Sequence, residues 1–236
     1  MNLRGTTRLH QKCGQIRSLP GTSGSVAMKN LKLAANLGTT GIAVASAMVL
    51  LGSLPLRAQA PSAAAARIQT YYQELMPTIR QAGRLTVRER DKRFAPAITA
   101  AFDLATMTRL AVGLPWRNFS PAQQTAVQQA FARFIVADYA SQINDYSGES
   151  FVVDPETSPV ARGGGELVKT RLMQPGGRTV RINYLVRDGR VIDVYLNGTI
   201  SDLAMRRDEF ASVIAAGGAD ALIKRLQDRR ETLLAK

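Results

Sequence analysis

The stretch Arg178–Phe210, RTVRINYLVRDGRVIDVYLNGTISDLAMRRDEF, decides the fold. Val180, Ile182, Tyr184 and Val186 recur at every second residue, so they share one face of an extended strand, with Arg181, Asn183 and Arg187 on the other. Asp188-Gly189 supplies the residue pair that a two-residue hairpin turn requires. Ile192, Val194 and Leu196 then repeat the alternation, and Gly198-Thr199-Ile200-Ser201 leads into a helix. The pattern predicts a one-sided antiparallel sheet, apolar inside and basic outside, whose inner face needs a cover.

Working upstream, Ser150–Val153 reads as a short strand and Glu166–Gln174 as a longer one, with Val168, Thr170 and Leu172 on one face. Pro175-Gly176-Gly177 turns the chain back. Gly163-Gly164-Gly165 lacks the lysine and the strand-to-helix setting of a phosphate loop and reads as a linker between strands. Four antiparallel strands in a meander follow. Downstream, Asp202–Ala215 and Ala219–Leu233 read as two closing helices separated by Gly217-Gly218.

Further upstream the period changes to that of a helix. Ala63–Gln81 carries Ile68, Tyr71, Tyr72, Leu75, Met76 and Ile79 at spacings of three and four, with Pro77 expected to kink or end it and Gly83 to stop it. In Thr86–Phe102 the charged RERDKR run reads as a solvated face and Pro96 as a break. Asp103 can cap a helix carrying Leu104, Met107, Leu110 and Ala111 on one face, ended by Gly113. The lone Trp116 reads as a core plug. Ser120-Pro121-Ala122-Gln123 is a capping box with proline at the first helical position, opening the longest helix, about Pro121–Ile143. Helices first, then strands, then two helices define an α+β fold: N-terminal helices plus a four-stranded antiparallel meander (NTF2/cystatin-like) with two C-terminal helices, able to leave a cavity between sheet and helices.

Composition removes most catalytic classes. Cys13 and His10 are the only residues of their kinds, both upstream of residue 60. The remaining chain therefore lacks a Cys or His nucleophile, a Ser-His-Asp triad, the usual zinc ligands and a disulfide framework. The net charge of +13 is concentrated at the N-terminus: residues 1–60 hold seven of the 31 basic residues and none of the 18 acids. The rest is moderately basic, which suits an anionic membrane surface as well as it would suit nucleic acid.

Met28-Lys29-Asn30-Leu31-Lys32, the apolar run Leu33–Leu56 and the Ala58-Gln59-Ala60 site have the form of a secretory signal peptide. Three regions are expected: 1–27, a mis-called extension; 28–60, the signal peptide; 61–236, one exported domain. Pro61 favours cleavage slightly later, within Ser62–Ala65, and an uncleaved inner-membrane anchor is the alternative.

The order of these elements resembles the MlaC, or toluene-tolerance, family of periplasmic lipid-binding proteins. The resemblance covers about residues 65–226. It rests on the Ser120–Gln124 helix start, the stretch YSGESF at Tyr146–Phe151, and the passage VYLNGTISDLAMRRDEF. That last passage looks closer to the hopanoid-associated members, HpnM. The resemblance implies a periplasmic carrier, not an enzyme, with no cofactor and a bound lipid, phospholipid or hopanoid, as cargo. The implied partners are an inner-membrane ABC-type or RND-type lipid transporter and an outer-membrane lipoprotein/porin complex, and no nucleic-acid partner is expected. The candidate cavity residues are Val168, Leu172, Ile182, Tyr184, Val194 and Leu196 on the sheet, with Leu110, Val112, Phe131 and Phe134 opposite; about half are expected to be plain core. The outward Arg181, Arg187 and Arg190 read as a solubilising face or a dock for anionic groups. Two other readings stay open. One is an enzyme on the same scaffold with Asp193 as base, although Asp193 alternates away from the cavity. The other is a ligand-free interaction subunit of a membrane lipid-transport complex.

Overall fold

The computed structural model describes residues 60–161 and 163–236. The expected extension and signal peptide lie outside the described residues, except for Ala60 at the signal's end. Among the described residues no helix is long and apolar enough to cross a membrane.

Among the described residues, five α-helices and a five-stranded sheet follow in order: α1 (Ala63–Ile79), α2 (Val87–Ala101), α3 (Leu104–Val112), α4 (Pro121–Gln142), β1 (Ser150–Pro159), β2 (Glu166–Met173), β3 (Thr179–Arg187), β4 (Arg190–Leu196), β5 (Ile200–Ser201) and α5 (Asp202–Leu234). Local chemistry sets the helix starts. Ser62, Thr86, Asp103, Ser120 and Ser201 each accept a hydrogen bond from a backbone N–H in the first turn. Thr86/Glu89 and Ser120/Gln123 form full capping boxes.

The strands form one antiparallel meander in the order β1-β2-β3-β4-β5. The expected four strands become five because Asn197-Gly198, both with positive φ, turns the chain back and β5 pairs with Tyr195 and Leu196. The first strand is also longer than its apolar core suggested. It runs to Pro159 through an irregularity between Val153 and Thr157, with Pro155 on an edge strand, where a missing N–H is tolerated. Gly165 closes the β1–β2 turn: at φ +104°, a Cβ there would lie 2.5 Å from the Val186 carbonyl oxygen.

Two helical expectations are corrected. Pro96 does not break α2, which continues to Ala101 because Phe94, Ala97, Ile98 and Ala101 are all buried. The RERDKR run is not wholly solvated either. Arg90 is buried, donating to the carbonyls of Ala82, Leu85 and Ala140, while the buried Asp91 meets Arg230 at 3.3 Å. The two closing helices are present as two segments of α5, separated at Gly218, whose φ of 63° and ψ of −148° suit glycine alone.

Candidate functional site

The inner face of the sheet is graded along its strands. At one end Val186 faces Val191, and both are buried. In the middle Val168, Tyr184 and Val194 form a buried row across β2, β3 and β4. At the other end the cross-strand neighbours Phe151, Leu172 and Val180, and the pair Ile182 and Leu196, are only half-buried. A β-bulge lies at the buried end. The β3–β4 register shifts after Leu185, so that Val191 rather than Ile192 continues the inner row. Ile192, read from strict alternation as an inner residue, stands outside the contiguous core cluster.

Helix α1 covers this face with aromatic rings. Tyr72 stacks on Phe151 with centroids 4.1 Å apart, and Tyr71 meets Phe102 edge-on at 5.2 Å. The Tyr72 hydroxyl lies 2.8 Å from that of Tyr184 and 3.1 Å from that of Thr170, which itself donates to the Ile182 carbonyl. Three hydroxyls thus satisfy one another inside an apolar layer. Burial pushes the Tyr72 hydroxyl up to about 12 and Tyr184 well above its ordinary value, so both stay protonated donors. Beside the Tyr72–Phe151 stack a hollow of about 400 Å³ opens between α1 and β1, lined in part by Tyr72, Met76, Tyr146, Phe151 and Val153. That volume falls within the range of small-molecule sites.

The ten candidates do not converge on one space. Val168, Leu172, Ile182, Tyr184, Val194 and Leu196 share the inner sheet face, the first, fourth and fifth in dry core and the others at the half-open end. Phe131 meets Phe210 of α5 edge-on at 6.3 Å. Phe134 lies under the guanidiniums of Arg206 and Arg229 at 5.1 and 5.6 Å. Both rings therefore seal α4 to α5 rather than standing opposite the sheet. Arg206 fixes the same seam through Asp138 of α4 at 2.7 Å and is itself held by Asp202, one turn earlier in α5, at 2.9 Å. Val112 is buried core, whereas Leu110 is turned to solvent, 37% exposed. Its carbonyl, not its side chain, is engaged, by Arg207.

Sequence reasoning missed the site partners supplied by α1. Tyr71 and Tyr72 were legible as a helix stripe, but nothing in the spacing said that this stripe would meet the Tyr184 row. Asp193 is turned to the opposite side, where it accepts from the Ser201 hydroxyl at 2.6 Å and from the Val194 and Leu203 backbone N–H groups. It thus anchors the start of α5. Of the outward arginines, Arg190 binds the Thr99 and Phe102 carbonyls at the end of α2, and Arg187 binds that of Gly163 in the β1–β2 connection.

An α+β domain whose antiparallel meander is covered on one face by an aromatic-rich helix, with one end left half-open, defines the class. The model of the MlaC protein family matches residues 69–228, and the chain belongs to that family. Among solved structures it resembles the phospholipid-binding protein from Ralstonia solanacearum, solved in complex with a phospholipid. The two are 21% identical with a TM-score of 0.62, over 73% of this chain and 99% of the other. No curated protein sequence matches the chain.

Proposed function

We propose that this protein is a periplasmic lipid carrier that holds acyl chains against the half-open end of its sheet. The observation that carries the reading is the gradient of the inner face. Phe151, Leu172, Val180, Ile182 and Leu196 are apolar yet only half-buried, and Phe151 also lines the hollow between α1 and β1. Membership of the MlaC family supports the reading, as does the likeness to a fold that holds a phospholipid. Each methylene hidden from water is worth about 0.8 kcal/mol, so even a partly covered chain outweighs modest ordering costs. A full tail needs more room than the hollow's present floor. Parting α1 from β1 at the Tyr72–Phe151 stack supplies it, and the Tyr72–Tyr184–Thr170 hydroxyls mark where the dry core begins.

The cargo is a phospholipid, with a hopanoid as the alternative that the Val194–Phe210 passage suggests. The carrier receives lipid from one membrane complex and yields it to another, an inner-membrane ABC-type or RND-type transporter and an outer-membrane lipoprotein/porin complex. Water does not extract a buried chain, so release needs a partner that opens the site.

The test replaces half-buried residues by larger ones. Ile182→Trp and Leu172→Trp fill the open end while leaving the dry Val168–Tyr184–Val194 row intact. After incubation with phospholipid vesicles, native mass spectrometry should show the parent loaded with about one lipid and both variants largely empty at unchanged melting temperature. Equal loading of parent and variants contradicts this site, and a folded parent that never acquires lipid contradicts the carrier reading.

A further inference from the structure

The loop after α3 has features that the lipid site leaves unexplained. Leu114, Pro115 and Trp116 lie in a short 3-10 turn, Leu114–Asn118. Leu114 is 81% exposed, the most exposed of the molecule's solvent-facing large apolar side chains among the described residues. Leu110, one turn earlier, is 37% exposed. Trp116, the expected core plug, packs against the core but is only half-buried, its ring edge-on to Phe119 at 6.1 Å.

The turn is held in shape. Gly113, at φ +72°, lets the chain reverse over the Arg207 side chain. Arg207 donates twice to the Leu110 carbonyl, at 2.9 and 2.6 Å, and the Gln124 side chain donates to the carbonyls of Trp116 and Phe119. The fold therefore presents an apolar leucine outward on a braced turn, with no refolding needed for it to enter an apolar phase.

The turn is flanked mainly by basic side chains, with acids at its margins: Asp103 interacts with Arg109, and the exposed Asp208 follows Arg207. Residues 104–137 contain Arg109, Arg117 and Arg133 and no Asp or Glu. Arg109, Arg117 and Arg207 are exposed, and Arg117 has no ion-pair partner among the described residues. A stable protein interface needs a broad face of roughly 800 Å² on each partner. A single projecting leucine beside a half-buried tryptophan and exposed arginines suits a fluid surface instead. Leucine enters the acyl boundary, indole rests at the headgroup level, and guanidinium groups meet phosphates.

We propose that the Leu114–Trp116 turn is a membrane-touching tip, which docks the protein on an anionic phospholipid surface independently of the cargo it holds. The test uses the lipid-loaded protein, with flotation on vesicles of phosphatidylcholine alone or mixed with phosphatidylglycerol. Trp116, the only tryptophan of the chain, reports contact through its emission. The parent is expected to float with the anionic vesicles only, with emission shifted to shorter wavelength and binding weakened by salt. Leu114→Asp is expected to lower binding by roughly tenfold or more, and Arg117→Glu to lower it further at low salt. Leu114 contributes nothing to the core, so circular dichroism should stay unchanged. Leu114→Ser provides a milder variant should the aspartate disturb the turn. Equal flotation on neutral vesicles, or variants that bind like the parent, overturns the tip. Native mass spectrometry of the same samples separates the two claims: a loaded parent that does not float overturns the tip alone, whereas a floating parent that is always empty supports the tip and contradicts the carrier.

Discussion

Asp193 shows how one residue's role follows from which side of a strand it takes. Its carboxylate accepts from the Ser201 hydroxyl and from two backbone N–H groups, fixing the β4–β5 turn to the start of α5. Burial is the largest influence on it and raises its pKa above the ordinary 3.8, against the lowering effect of those hydrogen bonds. The folded state therefore holds this proton more tightly than the unfolded state, and the group's contribution to stability falls as pH rises from near 3.8 through the raised value. Asp193→Asn cannot titrate, yet its amide still offers an acceptor to the backbone and a donor to Ser201. Urea unfolding at several pH values should show the parent's stability, relative to the variant, declining from the acidic end of that window towards neutrality. A difference that stays constant with pH contradicts the assignment. The outward placement of Asp193 was legible from alternation. Its partners were not, because Ser201 and Leu203 come from a turn whose path alternation does not describe. Tyr72 is the converse case: its place on an apolar helix stripe was legible, while its hydroxyl bonds to Tyr184 and Thr170 depend on long-range docking.

At the level of elements, turn and cap chemistry carried most of the architecture. Asp188-Gly189, Pro175-Gly176-Gly177 and the Ser120 capping box stand where their residues predict. What escaped were places where tertiary structure overrides a local signal. Pro96 lies within a helix held by four buried neighbours, and Pro155 lies on a sheet edge that asks nothing of its nitrogen. The bulge at Ile192 changes which apolar residues face inward without altering composition, so it left no trace in the alternation. The break in α5 was legible, and its stringency can be tested. Gly218 sits at φ 63° and ψ −148° with open space where a Cβ would be, so Gly218→Ala meets strain but no clash. It should cost about 1–3 kcal/mol in urea unfolding, with secondary structure retained; a loss below about 0.5 kcal/mol would show that the joint is relaxed.

Across the whole molecule, alternation placed the inner apolar row but did not separate dry core from open surface, and the expected basic outer face is not solvated throughout, since Asn183, Leu185, Ile192 and Asp193 outside that row are buried as well. Four candidate residues illustrate the limit. Phe131 and Phe134 are as apolar as Ile182 and Leu196, yet they seal α4 against α5, while the latter pair reaches the half-open end of the sheet. Helix periodicity places a ring on a face, and only packing decides which neighbour that face meets. The proposed cargo therefore lies at one end of one layer, bounded by the Tyr72–Tyr184–Thr170 hydroxyls. A phospholipid carrying a photoreactive group in its acyl tail tests this most directly. After loading and irradiation, peptide mapping should place the adducts on Phe151–Val153, on Leu172–Ile182 and on Tyr72–Met76. Adducts confined to the α4–α5 seam around Phe131 and Phe134, or none on a protein that has been shown to be loaded, would contradict it.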